Sequence, residues 1–234
     1  MATVVYSWIL PAKNEAFSLP QLIKEIRQTM QNKAYEILTI NDASTDNSGA
    51  TLKALTSQIP QLKILSFKSH QGKWAALRAG FEVAKGEIII TCDSDLQDDP
   101  KEVNKLLAKF SQGYDLVSGW RKIRHDTFYK VAISRLGNWL ASTLTSHRFH
   151  DLNSSFKVYQ RRVLNYLPKE GSLLRFSLLF AHKLGYKVAE VPVNHRPRLF
   201  GKSKFGIIKY LRIIYDLILI LLLFSGSGRV RRFS

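Results

Sequence analysis

Glu87-Ile88-Ile89-Ile90-Thr91-Cys92 runs directly into Asp93-Ser94-Asp95-Leu96-Gln97-Asp98-Asp99-Pro100. The first six residues predict a buried strand, because a short apolar, β-branched run without helical period fits a sheet interior. The next eight turn polar and acidic where that strand stops. On an extended backbone Asp93, Asp95 and Gln97 project to one side, since strand side chains alternate. Two carboxylates at that spacing suit Mg²⁺ or Mn²⁺ and leave coordination positions for phosphate oxygens. Such a cation neutralises charge on a departing nucleoside diphosphate. Asp98 and Asp99 before Pro100 read differently, as a helix cap and first-turn residues. An EF-hand is excluded: the loop lacks its glycine and has Asn104 where the bidentate glutamate belongs.

Outward from this stretch, strands and helices alternate. Val4–Leu10, Tyr35–Ile40, Leu62–Phe67 and Tyr114–Ser118 read as further strands, and Leu19–Met30 and Lys73–Ala84 carry helical spacing. Helices between short buried strands imply a parallel, doubly wound α/β sheet, whose ligands sit at the strands' carboxyl ends. Beyond Gly119 the pattern loosens to a helix over Asp126–Thr145, a strand at Phe156–Tyr159, a helix over Leu173–Leu184 and a strand at Val188–Val193. No internal repeat or low-complexity linker divides the chain.

The 234 residues suffice for one α/β domain with a real core. A single cysteine, Cys92, excludes a disulfide framework and suits a reducing compartment. No basic leader precedes the first apolar run, so the start reads as cytoplasmic. The net charge of +17 calls for acidic partners. From Lys187 to Ser234 ten basic residues face only Glu190 and Asp216, and the same stretch holds the apolar run Leu217–Phe224. That run is far short of the ~20 residues a spanning helix needs. With basic flanks it predicts a helix lying on a membrane surface; a buried core helix is the competing reading.

Two more strand ends carry polar groups. Pro11-Ala12-Lys13-Asn14-Glu15 follows the first strand, and Asn41-Asp42-Ala43-Ser44-Thr45-Asp46 follows the second. Each alone resembles a turn or cap; together they suit the base and ribose of a nucleotide. Gly72-Lys73 opens a helix, where Lys73 and backbone N–H groups help to hold phosphate, or where Lys73 is simply a solvated lysine. Neither a Walker loop nor G-x-G-x-x-G is present. The six histidines show no zinc spacing.

In this order, Pro11–Glu15, Asn41–Asp46, Gly72-Lys73 and Asp93–Gln97 resemble glycosyltransferase family 2. Asp-x-Asp-Leu-Gln looks like its polyprenyl-phosphate branch, as do Asp151–Tyr159 and the basic loop His195–Gly206. The resemblance implies a GT-A type nucleotide-binding domain over residues 1–206, with a mostly parallel sheet flanked by helices. An interfacial amphipathic helix and tail would occupy 207–234. It implies metal-dependent, inverting transfer from a nucleotide sugar to a polyprenyl phosphate, by an enzyme peripheral to the cytoplasmic face of the plasma membrane. Asp93, Asp95 and Gln97 would hold the metal, with Asp93, Asp95 and Arg121 catalytic. Pro11, Ala12, Asn14, Glu15 and Asp42 would meet the nucleoside. Lys73, Lys157, Arg196, Arg198, Ser203 and Lys204 would grip phosphates of donor or acceptor.

The chain departs from the family pattern at Lys13, Asn41, Ala43, Ser154 and Lys157, where an aromatic residue, aspartate, glycine, glycine and arginine are usual. Gln-x-x-Arg-Trp is absent, which argues against a processive polysaccharide synthase. A rival reading is a family 2 transferase acting on a soluble or protein-linked acceptor, with Asp151 as general base. A non-enzymatic rival is a basic nucleic-acid-binding protein, but no nucleic-acid module is present.

Overall fold

A computed structural model describes residues 3–122, 137–139, 141–143, 147–168, 171–197, 215–216 and 220. Seven strands form one sheet: β1 Tyr6–Ala12, β2 Tyr35–Asn41, β3 Leu62–Ser66, β4 Ile88–Thr91, β5 Leu116–Arg121, β6 Lys157–Gln160 and β7 Val188–Val193. Their order across the sheet is β3-β2-β1-β4-β6-β5-β7. β1 pairs parallel with β2 and β4, β2 with β3, and β5 with β7, while β6 is antiparallel to both neighbours. The expected mostly parallel α/β sheet is therefore the observed one. The exception at β6 has a consequence for the site: its amino end lies beside the carboxyl ends of β4 and β5.

Alternation along β1 divides the core. Trp8, Leu10 and Ala12 face helix α1 (Leu19–Thr29) and α4 (Val103–Phe110), packing with Leu22, Ile26 and Leu106. Ile9 faces the other side, where α3 (Lys73–Val83) and the helix Ser177–Lys183 bring Ala76, Leu77, Leu178 and Phe180. α1 forms because Leu19, Leu22, Ile23 and Ile26 make one buried stripe and Pro20 sits in its first turn, where the missing N–H is not needed. Gly80 lets α3 approach the sheet: a Cβ there would come within 3.0 Å of the Ile40 side chain. A helix not expected from periodicity, α2 (Ser48–Thr56), joins β2 to β3.

Of the expected helix over 126–145, residues 137–139 and 141–143 are helical, and the rest lies outside the described residues. The expected interfacial helix of 207–234 is represented by Tyr215, Asp216 and Ile220. Asp216 and Ile220 are buried, Ile220 within the same core cluster as Leu178 and Phe180, whereas Tyr215 is 65% exposed. Asp216 and Ile220 thus pack on protein. No helix among the described residues is long and apolar enough to cross a membrane.

Candidate active site

Three parallel strand ends are sewn together by short bonds. Asp42 N donates to Ala12 O at 2.8 Å, and Ser94 Oγ to Pro11 O at 2.9 Å. Pro11 and Ala12 therefore contribute main-chain atoms, with Ala12 buried. Asn14 turns the chain with φ 53°, a left-handed conformation that asparagine tolerates. Its amide exchanges bonds with Thr45: Thr45 N to Asn14 Oδ1 at 2.8 Å and Asn14 Nδ2 to Thr45 Oγ1 at 3.2 Å. Glu15 N and Ala16 N donate to Ser48 Oγ and Asp46 Oδ2, and Ser18 Oγ donates to Glu15 Oε2 at 2.9 Å. The β1 and β2 loops are thereby one rigid lip.

Asp42 is buried, and its carboxylate accepts from Gln71 N at 2.7 Å, Gly72 N at 2.9 Å and His70 Nδ1 at 2.7 Å. It fastens the loop that opens α3. Three of roughly four lone-pair positions are used, so its expected contact with a nucleoside has one position left. Ala43 follows at φ 49°. The left-handed turn explains why glycine is usual at this place in the family.

At β4 the backbone does not stay extended past Asp93. It turns at Ser94-Asp95, Leu96 adopts φ 63°, and Gln97 N donates to Asp95 Oδ1 at 3.2 Å. The one-sided display of Asp93, Asp95 and Gln97 by strand alternation is thus corrected: a turn stabilised by the Asp95 side chain arranges them. Asp93 receives Lys73 Nζ, at 2.5 Å from Oδ1 and 2.8 Å from Oδ2, and Ser155 Oγ at 2.7 Å. Burial acts to raise its pKa, but the Lys73 ammonium and the Ser155 hydroxyl outweigh this and hold the carboxyl below the usual range. Lys73 is accordingly no solvated lysine; its ammonium also lies 5.4 Å from the Trp74 ring centroid.

Asp98 is corrected as well. Only Asp99 caps the turn after it, accepting Lys101 N at 3.0 Å. Asp98 is buried behind Asp93, with Ser155 Oγ 3.4 Å from its Oδ2. Burial and then the charge of Asp93 push its pKa up to about 7, with Asp95 adding to the effect. Cys92 is buried in the core, as expected, and burial pushes its thiol up.

Arg121 ends β5 and forms a two-pronged pair with Asp151: Nε to Oδ2 at 2.7 Å and Nη2 to Oδ1 at 3.0 Å. Asp151 is held in turn, since its N–H and that of His150 donate to Glu190 of β7, each at 2.7 Å. A buried carboxylate bonded in this way does not suit the general-base role considered for Asp151. Lys157 is buried, and its Nζ donates to Leu152 O and Arg175 O at 3.3 and 3.1 Å. Burial lowers its pKa to about 7. Ser154, where the family has glycine, is also buried, and its hydroxyl has no hydrogen-bond partner. Arg196 pairs with Glu25 and Asp99, each at 2.8 Å. Arg198, Ser203 and Lys204 lie outside the described residues.

The structure thus gathers Asp93, Asp95, Gln97, Lys73 and Arg121 around Asp98, and adds Ser155, which sequence reasoning missed. Ser155 precedes β6, and no local signal marks that strand as the antiparallel one. Among the described residues no group of three or more His, Cys, Asp or Glu side chains is arranged to enclose a metal ion. The donor set here is instead two hard carboxylates and an amide oxygen, beside an Asp98 whose pKa is raised first by burial and then by the charges of Asp93 and Asp95. Such a set fits a divalent cation that takes its remaining ligands from a diphosphate.

Comparisons with known proteins agree with this fold. The chain is 32% identical over 216 residues to the undecaprenyl-phosphate 4-deoxy-4-formamido-L-arabinose transferase of Enterobacter sp. (strain 638), covering 91% of this chain and 66% of that protein. Its fold is similar to crystal structures of glucosyl-3-phosphoglycerate synthase from Mycobacterium tuberculosis. The complex with Mn²⁺, uridine diphosphate and phosphoglyceric acid matches at TM-score 0.71 and 20% identity, over 96% of this chain and 80% of that one. The complex with phosphoglyceric acid matches at TM-score 0.73 and 20% identity, over 92% and 79%. Residues 7–177 match the family model for glycosyl transferase family 2, and the chain belongs to that family.

Proposed function

We propose that this chain transfers a sugar, with inversion, from a nucleotide-sugar donor to a polyprenyl phosphate at a membrane surface. The observation that carries the reading is the acidic crowding at the end of β4, where Asp93, Asp95 and Asp98 meet with Lys73 and Arg121 as the cations beside them. That arrangement is costly unless a divalent cation completes it. Asp93, Asp95 and Gln97 would hold Mg²⁺ or Mn²⁺, which supplies charge neutralisation for the departing diphosphate. Lys73, at the start of α3, would both orient Asp93 and offer its ammonium to the diphosphate. Glu15, Asp42 and the lip at Asn14 would bound the nucleoside.

The acceptor half rests on the 32% identity to an undecaprenyl-phosphate sugar transferase. A phosphate oxygen is already anionic at neutral pH, so attack needs alignment and charge stabilisation more than a base. The commitment of Asp151 to Arg121 favours this acceptor over a sugar hydroxyl, which would require a base. Arg121, oriented by that pair, and Arg198, Ser203 and Lys204 would meet phosphate. Residues 1–206 would form the transferase domain. The basic, apolar stretch 207–234 would attach it to the cytoplasmic face of the plasma membrane as a peripheral protein.

The test is incubation of purified protein with Mg²⁺ or Mn²⁺, a panel of nucleotide sugars and undecaprenyl phosphate in neutral detergent. Extractable glycolipid is expected, and none in the presence of EDTA. Transfer to soluble acceptors alone would overturn the lipid assignment.

A further inference from the structure

Past Val193 the chain runs back along the acidic loop. Asn194 N donates to Glu102 Oε2 at 3.2 Å, and His195 forms an antiparallel bridge with Asp98. Arg196 N donates to Gln97 O at 2.7 Å, and Gln97 Nε2 returns a 3.5 Å bond to Arg196 O. The Arg196 guanidinium then spans two elements. Nη1 lies 2.8 Å from Glu25 Oε2 on α1, and Nη2 lies 2.8 Å from Asp99 Oδ2. The arginine side chain is 28% exposed and its partners 13% and 15%. These are short, charge-assisted, partly desolvated bonds.

They adjoin a strained point. Leu96 holds φ 63°, a conformation that a leucine does not adopt on its own account. A conformation of that kind persists only where its surroundings over-determine it. Here the carbonyl of Gln97, one residue on, and the cap Asp99, three residues on, are both tied to Arg196.

We infer that Arg196 is a positioning residue, whose guanidinium fastens the Asp95–Asp99 turn to α1 and so holds Asp95 and Gln97 ready for the cation. This role replaces the phosphate contact expected of Arg196 from the sequence. It rests on the proposed reading of Asp95 and Gln97 as metal-side residues. Lysine cannot take over fully, because a compact ammonium cannot reach two separate carboxylates as a planar guanidinium does.

The test uses the full chain and needs no turnover. Mn²⁺ binding is titrated by electron spin resonance in the presence of uridine diphosphate, and backbone hydrogen exchange over 94–99 is followed in metal-free protein. Arg196→Met should weaken Mn²⁺ by about tenfold, the effect of losing one such charge-assisted bond, and should speed exchange over 95–98. Arg196→Lys should recover part of both. Glu25→Gln and Asp99→Asn, each leaving one arm of the bridge, should give intermediate losses, and they decide the matter if Arg196→Met does not fold. Acceptor KM at saturating metal should stay near wild type. Unchanged exchange and Mn²⁺ affinity, with acceptor KM alone raised, would make Arg196 a substrate contact and overturn the inference. If the wild-type chain binds no Mn²⁺, the metal reading falls, while the exchange comparison still decides whether Arg196 holds the turn.

Discussion

Asp42 and Asp93 occupy equivalent places. Each stands at the carboxyl end of a parallel strand next to β1, and each is reached by the segment around Gly72-Lys73 that opens α3. Asp42 is 5% exposed and filled by donors from one loop, two of them backbone N–H groups. Asp93 is 32% exposed and meets side-chain donors, Lys73 and Ser155, with two more carboxylates close by. The same residue type therefore does different work according to what its oxygens find. Backbone donors consume a carboxylate in holding a loop, whereas a lysine and a surplus of like charge leave one poised for an incoming cation and diphosphate.

The comparison breaks most visibly at Asp93. Asp93→Ala should reduce transfer by about a thousandfold, the loss of several kcal/mol of charge stabilisation, and should shift the thermal midpoint by only a few degrees. A variant that keeps more than a tenth of wild-type turnover would end the assignment. Asp42→Ala should do the converse. It strands donors at Gln71 and Gly72, so urea denaturation should register a loss of about 3 kcal/mol, with the kinetic defect mostly in donor KM. If instead stability holds and kcat collapses, Asp42 belongs to the chemistry.

Lys157 sharpens the contrast from the opposite charge. Its ammonium is buried with carbonyls as its bonded partners, and its pKa is lowered to about 7. Between about pH 7 and the ordinary lysine pKa near 10.4 the unfolded chain binds a proton that the folded chain does not. Stability therefore rises with pH through that window. Wild type should gain on Lys157→Met between pH 7 and 10 in paired thermal melts. A difference independent of pH would show that the folded-state pKa is not depressed. The smallest effect is expected beside Asp42. Ala43→Gly relieves a left-handed alanine while loosening the unfolded chain, and should stabilise by roughly 0.5–1 kcal/mol. A destabilised variant would mean that the Ala43 methyl packs usefully.

Much of this was legible from residues alone. All seven strands were expected within three residues of their observed ends, the largest miss being the carboxyl end of β5, because period and β-branching suffice for short buried strands. The acidic loop after β4 was expected to be the chemical centre, and its neighbours gather there. The errors fall where local pattern is ambiguous. Asp98 reads as a cap beside Pro100, yet it is buried, since the returning His195 and the distant Ser155 meet it in the fold. Asp93 to Gln97 read as extended, yet the Asp95 side chain competes for the backbone and makes a turn. α2 was missed because only Ser48 and Leu52 of its nine residues are buried, too few to make a periodic stripe.

Sequence by itself determined the order of the strands and most of the helices between them, the family, and which strand ends carry acidic and basic groups, because these follow from local periodicity and from motifs contiguous in the chain. Tertiary structure alone decided how the charges pair: Lys73 with Asp93, Arg121 with Asp151, Arg196 with Glu25 and Asp99. It also decided that β6 runs antiparallel and so delivers Ser155 to Asp93. The physical reason is that a charged side chain's role depends on its distance from other charges and on its desolvation. Both are set by contacts between residues 20 to 171 positions apart, which no local pattern encodes.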